Sequence, residues 1–325
     1  MWLLVGGSGF IGTNFSKFLM KNDYDFKVYD KQKSKYLPKG IETVIGDVRD
    51  KNKLSEAMKG CEVVFHLATA PPSLRIPKRK VYDIDVNGTQ NVLMAAEENN
   101  VKRVIFASSA SHVYGPVDKA LCPIKEDCGL NPINEYGENK VIAEELCKIA
   151  SETRNLQTIV LRLSMVLGPY NFDPILLENI LPLLKNKRVA IVGDGESKGQ
   201  SIHVEDVNTA LLASAKLSDK MLPEDVVFNI SGDEVLTFNE FMGLSKSICA
   251  STSNTTYLPL PLAKVMVSIA WKLGKTKINP SYLRLMAQDQ YFDISKAKHI
   301  LGWEPEHTVE EAIKDTVKFL KEEYL

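Results

Sequence analysis

Tyr136 and Lys140 stand four residues apart in the stretch EYGENK, and on a helix that spacing puts both side chains on one face. An ammonium close to a phenol stabilises the phenolate and lowers its pKa, which turns a tyrosine into an acid/base for an alcohol proton. A second group of residues opens the chain. In VGGSGFIGTN, Gly6, Gly9 and Gly12 recur at every third position, after the apolar run of residues 2–6 and before apolar residues at helical spacing (Phe15, Phe18, Leu19). In a strand, turn, helix setting the first glycine allows the tight turn and the second lets backbone N–H groups approach a pyrophosphate. The third permits close packing of helix on strand. A phosphate there meets free amides and the positive end of a helix dipole. Asp30 ends the next strand, 18 positions past Gly12. A carboxylate at that place accepts both adenosine ribose hydroxyls and repels a 2′-phosphate, so NAD is expected in preference to NADP, with the adjacent Lys31 softening the preference. Asp47, after VIG, is placed either to reach the adenine amino group or to cap a helix.

Alternating elements have to carry these residues. DFKVYD ends a strand at Asp30, IETVIGDV ends another at Asp47 and CEVVFHLA a fourth at His66 to Ala68; VKRVIFASS and QTIVLRLS, at 157–164, follow. Helical stretches at 53–59 and 87–99 separate them. Strands that alternate with helices imply right-handed crossovers and a parallel sheet covered on both faces, a doubly wound α/β (Rossmann) fold. Beyond about residue 170 the regularity weakens. DPILLENILPLLKNK and EDVNTALLASAKL read as helices, interrupted by GDGESKGQ, and TVEEAIKDTVKFLKEEYL reads as a late helix. The expected division is a dinucleotide-binding domain over 1–168 with the Tyr and Lys, and a smaller, mainly substrate-binding lobe over 169–325, some of whose segments return to the first domain.

Composition narrows the partners. The chain has 325 residues, 44% hydrophobic and 25% charged, and 40 lysines and arginines balance 41 acids. A net charge of -1 gives no reason to expect a nucleic-acid or general membrane-surface binder. Cys61, Cys122, Cys128, Cys147 and Cys249 form no C-x-x-C pair or zinc spacing and read as free thiols of a reducing cytoplasm. No basic n-region precedes the first motif, so no signal peptide is expected. The five histidines are too scattered for a metal site. LPLPLAKVMVSIAWKLGK falls short of the roughly 20 apolar residues of a membrane span and is interrupted by Lys264 and Lys272. It fits an interfacial helix, a lid over an apolar substrate or a helix packed on the core, but no stable membrane insertion.

Taken in order, GGSGFIG, GDV, FHLA, DVNGTQNVL, SSASHVYG, YGENK, IHVEDV and FDISKAKHILGWEP resemble the extended short-chain dehydrogenase/reductase superfamily over nearly the whole chain. The resemblance is to its NAD-dependent epimerase/dehydratase family, with some similarity to 3-beta-hydroxysteroid dehydrogenase-like members. It implies bound NAD(P), a catalytic Tyr136 with Lys140 as its partner, and a Ser or Thr at the end of the fifth strand that polarises the substrate oxygen. It also implies cofactor contacts from Phe10, Ile11, Val48, Leu67, Ala68, Thr69, Asn87 and Ser108, and a homodimer paired through the helix that holds Tyr136. The family hydroxyl normally lies four residues before the tyrosine of VYG, which is Ala110 here, leaving Ser109 or Ser111 as the donor. His112 is near enough to touch substrate. Nucleotide-sugar relatives often carry an Asn and an Arg where this chain has Met165 and Gly199; Asn179, in ENILP, and Arg284 are the candidates to hold a substrate diphosphate. A dehydratase would want an Asp-Glu pair where Ser111 and His112 stand. The expected activity is therefore epimerisation of a nucleotide sugar by transient hydride transfer to bound NAD. The alternatives are an NAD(P)-dependent dehydrogenase of an apolar, steroid-like alcohol and a non-catalytic NAD(P)-sensing protein.

Overall fold

The computed structural model describes every residue except 72, 74, 154, 155 and 223–225. Its strands, in chain order, are β1 (Trp2–Val5), β2 (Phe26–Asp30), β3 (Thr43–Ile45), β4 (Val63–His66), β5 (Arg103–Ser109), β6 (Gln157–Leu163), β7 (Met165–Leu167), β8 (Val189–Val192), β9 (Lys198–His203), β10 (Val227–Ile230), β11 (Val235–Thr237) and β12 (Thr255–Leu258). Short apolar runs buried on both faces become the parallel central sheet, of order β10-β6-β5-β4-β1-β2-β3. Alternation along β1 sends Leu4 to one face, against Phe15, Val28 and Phe65, and Leu3 and Val5 to the other, against Leu54, Val64 and Val104. Helices Phe10–Lys21 and Val204–Lys216 cover the first face; Lys51–Met58, Gly88–Glu98 and Glu135–Thr153 cover the second.

The chain winds outward through β1, β2 and β3, then returns to β4 on the other side of β1. Ligands of open α/β sheets sit outside the C-terminal ends of the strands at such a reversal. Val5 pairs with both Tyr29 and His66 there, so the glycine turn, Asp30 and Leu67 converge on one crevice.

Two features depart from the expected elements. Helix 87–99 begins earlier, at Lys78, and passes through a wide π turn at Asp83–Asn87. β10, late in the chain, adds to the sheet edge beside β6, Val227 opposite Val160. A third core, with Leu167, Ile180, Phe241, Ile313 and Leu320, joins helices Pro174–Leu184, Phe238–Ile248 and Val309–Tyr324. The helix Leu260–Lys272 is not a core helix: Ala263 is its one buried residue, among the described residues.

Candidate active site

The three glycines have different reasons to be glycine. Gly6 turns the chain at φ +85°, and a Cβ on it would lie 2.4 Å from the Ala68 amide nitrogen. A Cβ on Gly12 would lie 2.4 Å from Gly7 Cα. Gly9 is held to glycine by no such contact, since its Cβ would meet only the Gly6 carbonyl, at 3.3 Å. It is exposed at the N-terminus of Phe10–Lys21, where no side chain caps the first amides. This cradle, which a side chain would fill, fits the pyrophosphate of a dinucleotide.

A cleft of about 760 Å³ runs from the turn. Gly6, Gly9, Phe10, Ile11, Gly12, Asp30, Lys31, Asp47, Val48, Leu67, Ala68 and Thr69 all line it. Asp30 Oδ2 accepts from the Ser8 amide at 3.0 Å and Oδ1 from the Gln32 amide at 3.3 Å. Burial raises its pKa against those bonds, and a carboxylate so held keeps lone pairs for ribose hydroxyls. Asp47 is otherwise engaged. Its carboxylate takes Arg49 Nε at 2.9 Å and Nη2 at 2.7 Å, and this pairing holds its pKa down. The helix cap is Asp50, not Asp47. Asn87 does not line the cleft; its amide donates to Asp83 across the π turn, at 3.0 Å.

Helix Glu135–Thr153 sets Tyr136, Lys140 and Glu144 on one face. Lys140 Nζ donates to the Ala107 carbonyl at 2.8 Å and stands 5.6 Å from the centre of the Tyr136 ring. Burial pulls Lys140 down to about 8, although the carboxylates of Asp85 and Glu144 resist. The lowered Tyr136 expected from the spacing is not what the protein alone produces. Burial, with Asp85 adding to it, holds the phenol above its ordinary value.

The serines at the end of β5 divide by partner. Ser108 donates to Glu144 Oε1 at 2.5 Å, and Glu144 is also paired with Arg162, at 2.7 Å and out of solvent. Ser109 and His112 Nδ1 are 3.0 Å apart. The His112 ring meets Tyr136 and Tyr282 edge-on, at 4.9 and 5.1 Å between centroids. Burial first, then the charge of Lys140, drives His112 down to about 4, so it is neutral; its Nε2 is buried without a hydrogen-bond partner. Ser108, Ser109, Ser111, His112 and Tyr136 line a second cavity of about 390 Å³, which shares Phe10, Ile11, Pro71, Asn171 and Asp173 with the cleft.

Elsewhere this cavity is mostly apolar, walled by Leu163, Leu176, Phe238, Phe241, Leu285 and Met286. Asp173, Lys198 and Glu234 are its charged residues, among those described, and Met165 and Gly199 face it. Two residues expected on its wall do not line it. Asn179 is buried in its own helix, donating to the Ile175 carbonyl at 2.7 Å, and does not reach the cavity. Arg284 is exposed, although Tyr282, Leu285 and Met286 of the same helix do line it. The sequence reading also passed over the Glu144–Arg162 pair and Gln290, whose amide donates to the Gly115 carbonyl at 2.7 Å. Glu144, one turn past Lys140, was signalled by spacing; nothing local signals Gln290.

A Rossmann sheet with a glycine-turn cleft, a tyrosine on the wall of the adjoining cavity and a lysine one helical turn on from it defines a dinucleotide-dependent enzyme of the short-chain dehydrogenase/reductase kind. More narrowly, the chain belongs to the NAD dependent epimerase/dehydratase family, whose model matches residues 2–231. It is 30% identical to a putative UDP-glucose 4-epimerase of Methanocaldococcus jannaschii, over 99% of this chain and 98% of that one. It is 28% identical to the sterol-4-alpha-carboxylate 3-dehydrogenase, decarboxylating, of Mus musculus, over 97% of this chain and 89% of that one. The UDP-glucose 4-epimerase of Thermotoga maritima, solved with UDP-glucose, superposes with a TM-score of 0.84 at 26% identity, covering 100% of this chain and 99% of that one.

Proposed function

We propose that this chain is an NAD-dependent epimerase of a nucleotide sugar. The observation that carries the reading is the meeting of Tyr136, Ser109 and His112 on the wall of the cavity that adjoins the cleft. NAD, when bound, supplies reversible hydride acceptance. The chain's own part is proton handling and positioning. Tyr136 takes the proton of the sugar carbinol and later returns it, Lys140 balances the phenolate charge, and Ser109, oriented by His112, donates to the substrate oxygen. Ser111 is the second choice for that donor. Asp30 would select NAD, with Lys31 and residues 46–48 and 67–69 around the adenosine and Gly9 beneath the pyrophosphate. Residues 1–168 would hold the cofactor and 169–325 mainly the substrate. Five free cysteines favour a cytoplasmic location. A homodimer through Glu135–Thr153 is supported by Ile142 and Ile149, both exposed on that helix. A second reading, oxidation of an apolar alcohol, is favoured by the apolar walls of the cavity. Both readings need the phenol, so Tyr136→Phe should lower turnover by on the order of 1000-fold while bound NAD is retained. Substantial activity in that variant would remove the basis of either.

A further inference from the structure

The chain is balanced in charge as a whole, but not locally. Between Glu240 and Asp289 it has no acidic residue, while Lys246, Lys264, Lys272, Lys275, Lys277 and Arg284 fall in that stretch. Helix Leu260–Lys272 lies in the middle of it. Its residues Leu262, Val265, Met266 and Ile269, with Leu273 just beyond, recur at helical spacing and are 49%, 57%, 50%, 54% and 63% exposed, one continuous apolar stripe turned to solvent. Arg75 binds the end of this helix, donating to the Trp271 carbonyl and lying 4.2 Å over the Trp271 ring. Exposed Lys78, Arg79 and Lys80 follow it in sequence. Among the described residues, carboxylates meet these segments at Glu178, bonded to Thr276, and at Glu135, paired with Lys78, with Glu138 also near that lysine.

We infer that this face seats on the surface of an anionic phospholipid bilayer, the apolar stripe entering the headgroup boundary and the lysines meeting lipid phosphates. A helix of 13 residues is about 20 Å long against a hydrocarbon core of about 30 Å, so it lies in the interface and does not cross. No helix among the described residues is long and apolar enough to span. A second copy of the chain is a poorer occupant: a two-fold contact through this stripe would bring the lysines at 264, 272 and 275 of one copy up to those of the other, with no carboxylate on the helix to offset them. The helix packs on Tyr282–Met286, which lines the substrate cavity, so the seated face borders the site. The docking holds whichever alcohol the cavity takes.

The test is co-sedimentation of the full chain with vesicles of phosphatidylcholine alone or of phosphatidylcholine with phosphatidylglycerol, at low and high salt. The protein should bind the phosphatidylglycerol vesicles, and salt should weaken binding. Val265→Glu with Ile269→Glu, and separately Lys272→Glu with Lys275→Glu, should each lower partitioning at least roughly tenfold. Thermal unfolding and turnover of a soluble substrate should be unchanged, because these side chains are solvent-exposed and outside the site. If the glutamate pair unfolds the chain, Val265→Ser with Ile269→Ser replaces it with the same expectation. No binding to anionic vesicles, or binding that none of the variants weakens, overturns the inference. So does an oligomer that the glutamate pair dissociates without any vesicle binding, which would give the stripe to a second copy.

Discussion

The cofactor cleft and the substrate cavity share a wall at Phe10, Ile11 and Asp173, yet they are built in different ways. The cleft centres on main-chain turns, a glycine turn, a strand end at Asp30 and the segment 67–71, mostly from the first quarter of the chain, with residues 170–174 closing it. Of the charged side chains that line it, Asp30 is tied to two amides, Asp47 to Arg49 and Lys35 to Glu323, with Lys31, Lys33 and Asp173 beside them. The cavity takes most of its wall from Ser108 through to Val309, with Phe10, Ile11 and Pro71 on the cleft side, and leucines and phenylalanines supply its shape. Recognition by main chain forces particular residue types at fixed spacing. Recognition by apolar side chains constrains volume and little else, so one scaffold can keep its cofactor while it changes its alcohol.

The contrast predicts that damage at the boundary falls on turnover and damage in the cleft on cofactor choice. Ser109→Ala should lower kcat by on the order of 100-fold with NAD affinity nearly unchanged, and Ser111→Ala should be milder. Steady-state kinetics of the two variants decide the donor, and the reverse ranking would move the role to Ser111. Asp30→Ala acts on the other side. It should erase the preference for NAD over NADP, a change of roughly tenfold or more in the ratio of dissociation constants, with kcat at saturating cofactor largely kept. Equal affinities in the unaltered chain would remove that assignment.

The smallest expected effect is on stability. Burial holds His66 at about 3 and His112 at about 4, both below the ordinary value of 6.5, and His203 is also lowered. As pH falls below about 6.5 the unfolded chain takes up protons that these folded histidines refuse, so their stabilising contribution, full above that pH, is lost on the way down to about 4 for His112 and about 3 for His66. His307 opposes them: burial pulls it down, but Asp206 outweighs this and raises it. The melting temperature should therefore fall by several degrees between about pH 7 and pH 5, and His112→Gln should flatten the slope. A profile identical in that variant would mean that His112 takes up its proton in the fold.

What could be read in the sequence follows the same division. The sheet and its crossovers were legible because buried strands and helices have distinct periods, and Gly6, Gly12 and Asp30 because close backbone approach leaves few residue choices. Tyr136 and Lys140 were legible as neighbours; the upward pull of burial on Tyr136 in the protein alone was not, since burial is a property of the packed fold. Asn179 and Arg284 lie off the cavity wall for a different reason. The sequence shows that a helix carries a polar residue, while the phase of the helix against its cavity is set by tertiary packing, which leaves Asn179 buried on Ile175 of its own helix and Arg284 exposed. Asn87 lies off the cleft wall, in the π turn, with its amide on Asp83. The outward stripe of Leu260–Lys272 was visible as apolar spacing, but only the fold shows which side faces solvent.

The central claim is that NAD stays in the cleft while substrate is exchanged in the cavity, and cofactor content measured together with turnover tests it most directly. Purified protein should carry NAD, interconvert a nucleotide sugar with no cofactor added, and release no net NADH absorbance. Steady, substrate-dependent NADH accumulation that requires added NAD would contradict the epimerase account and assign the cavity to an apolar alcohol.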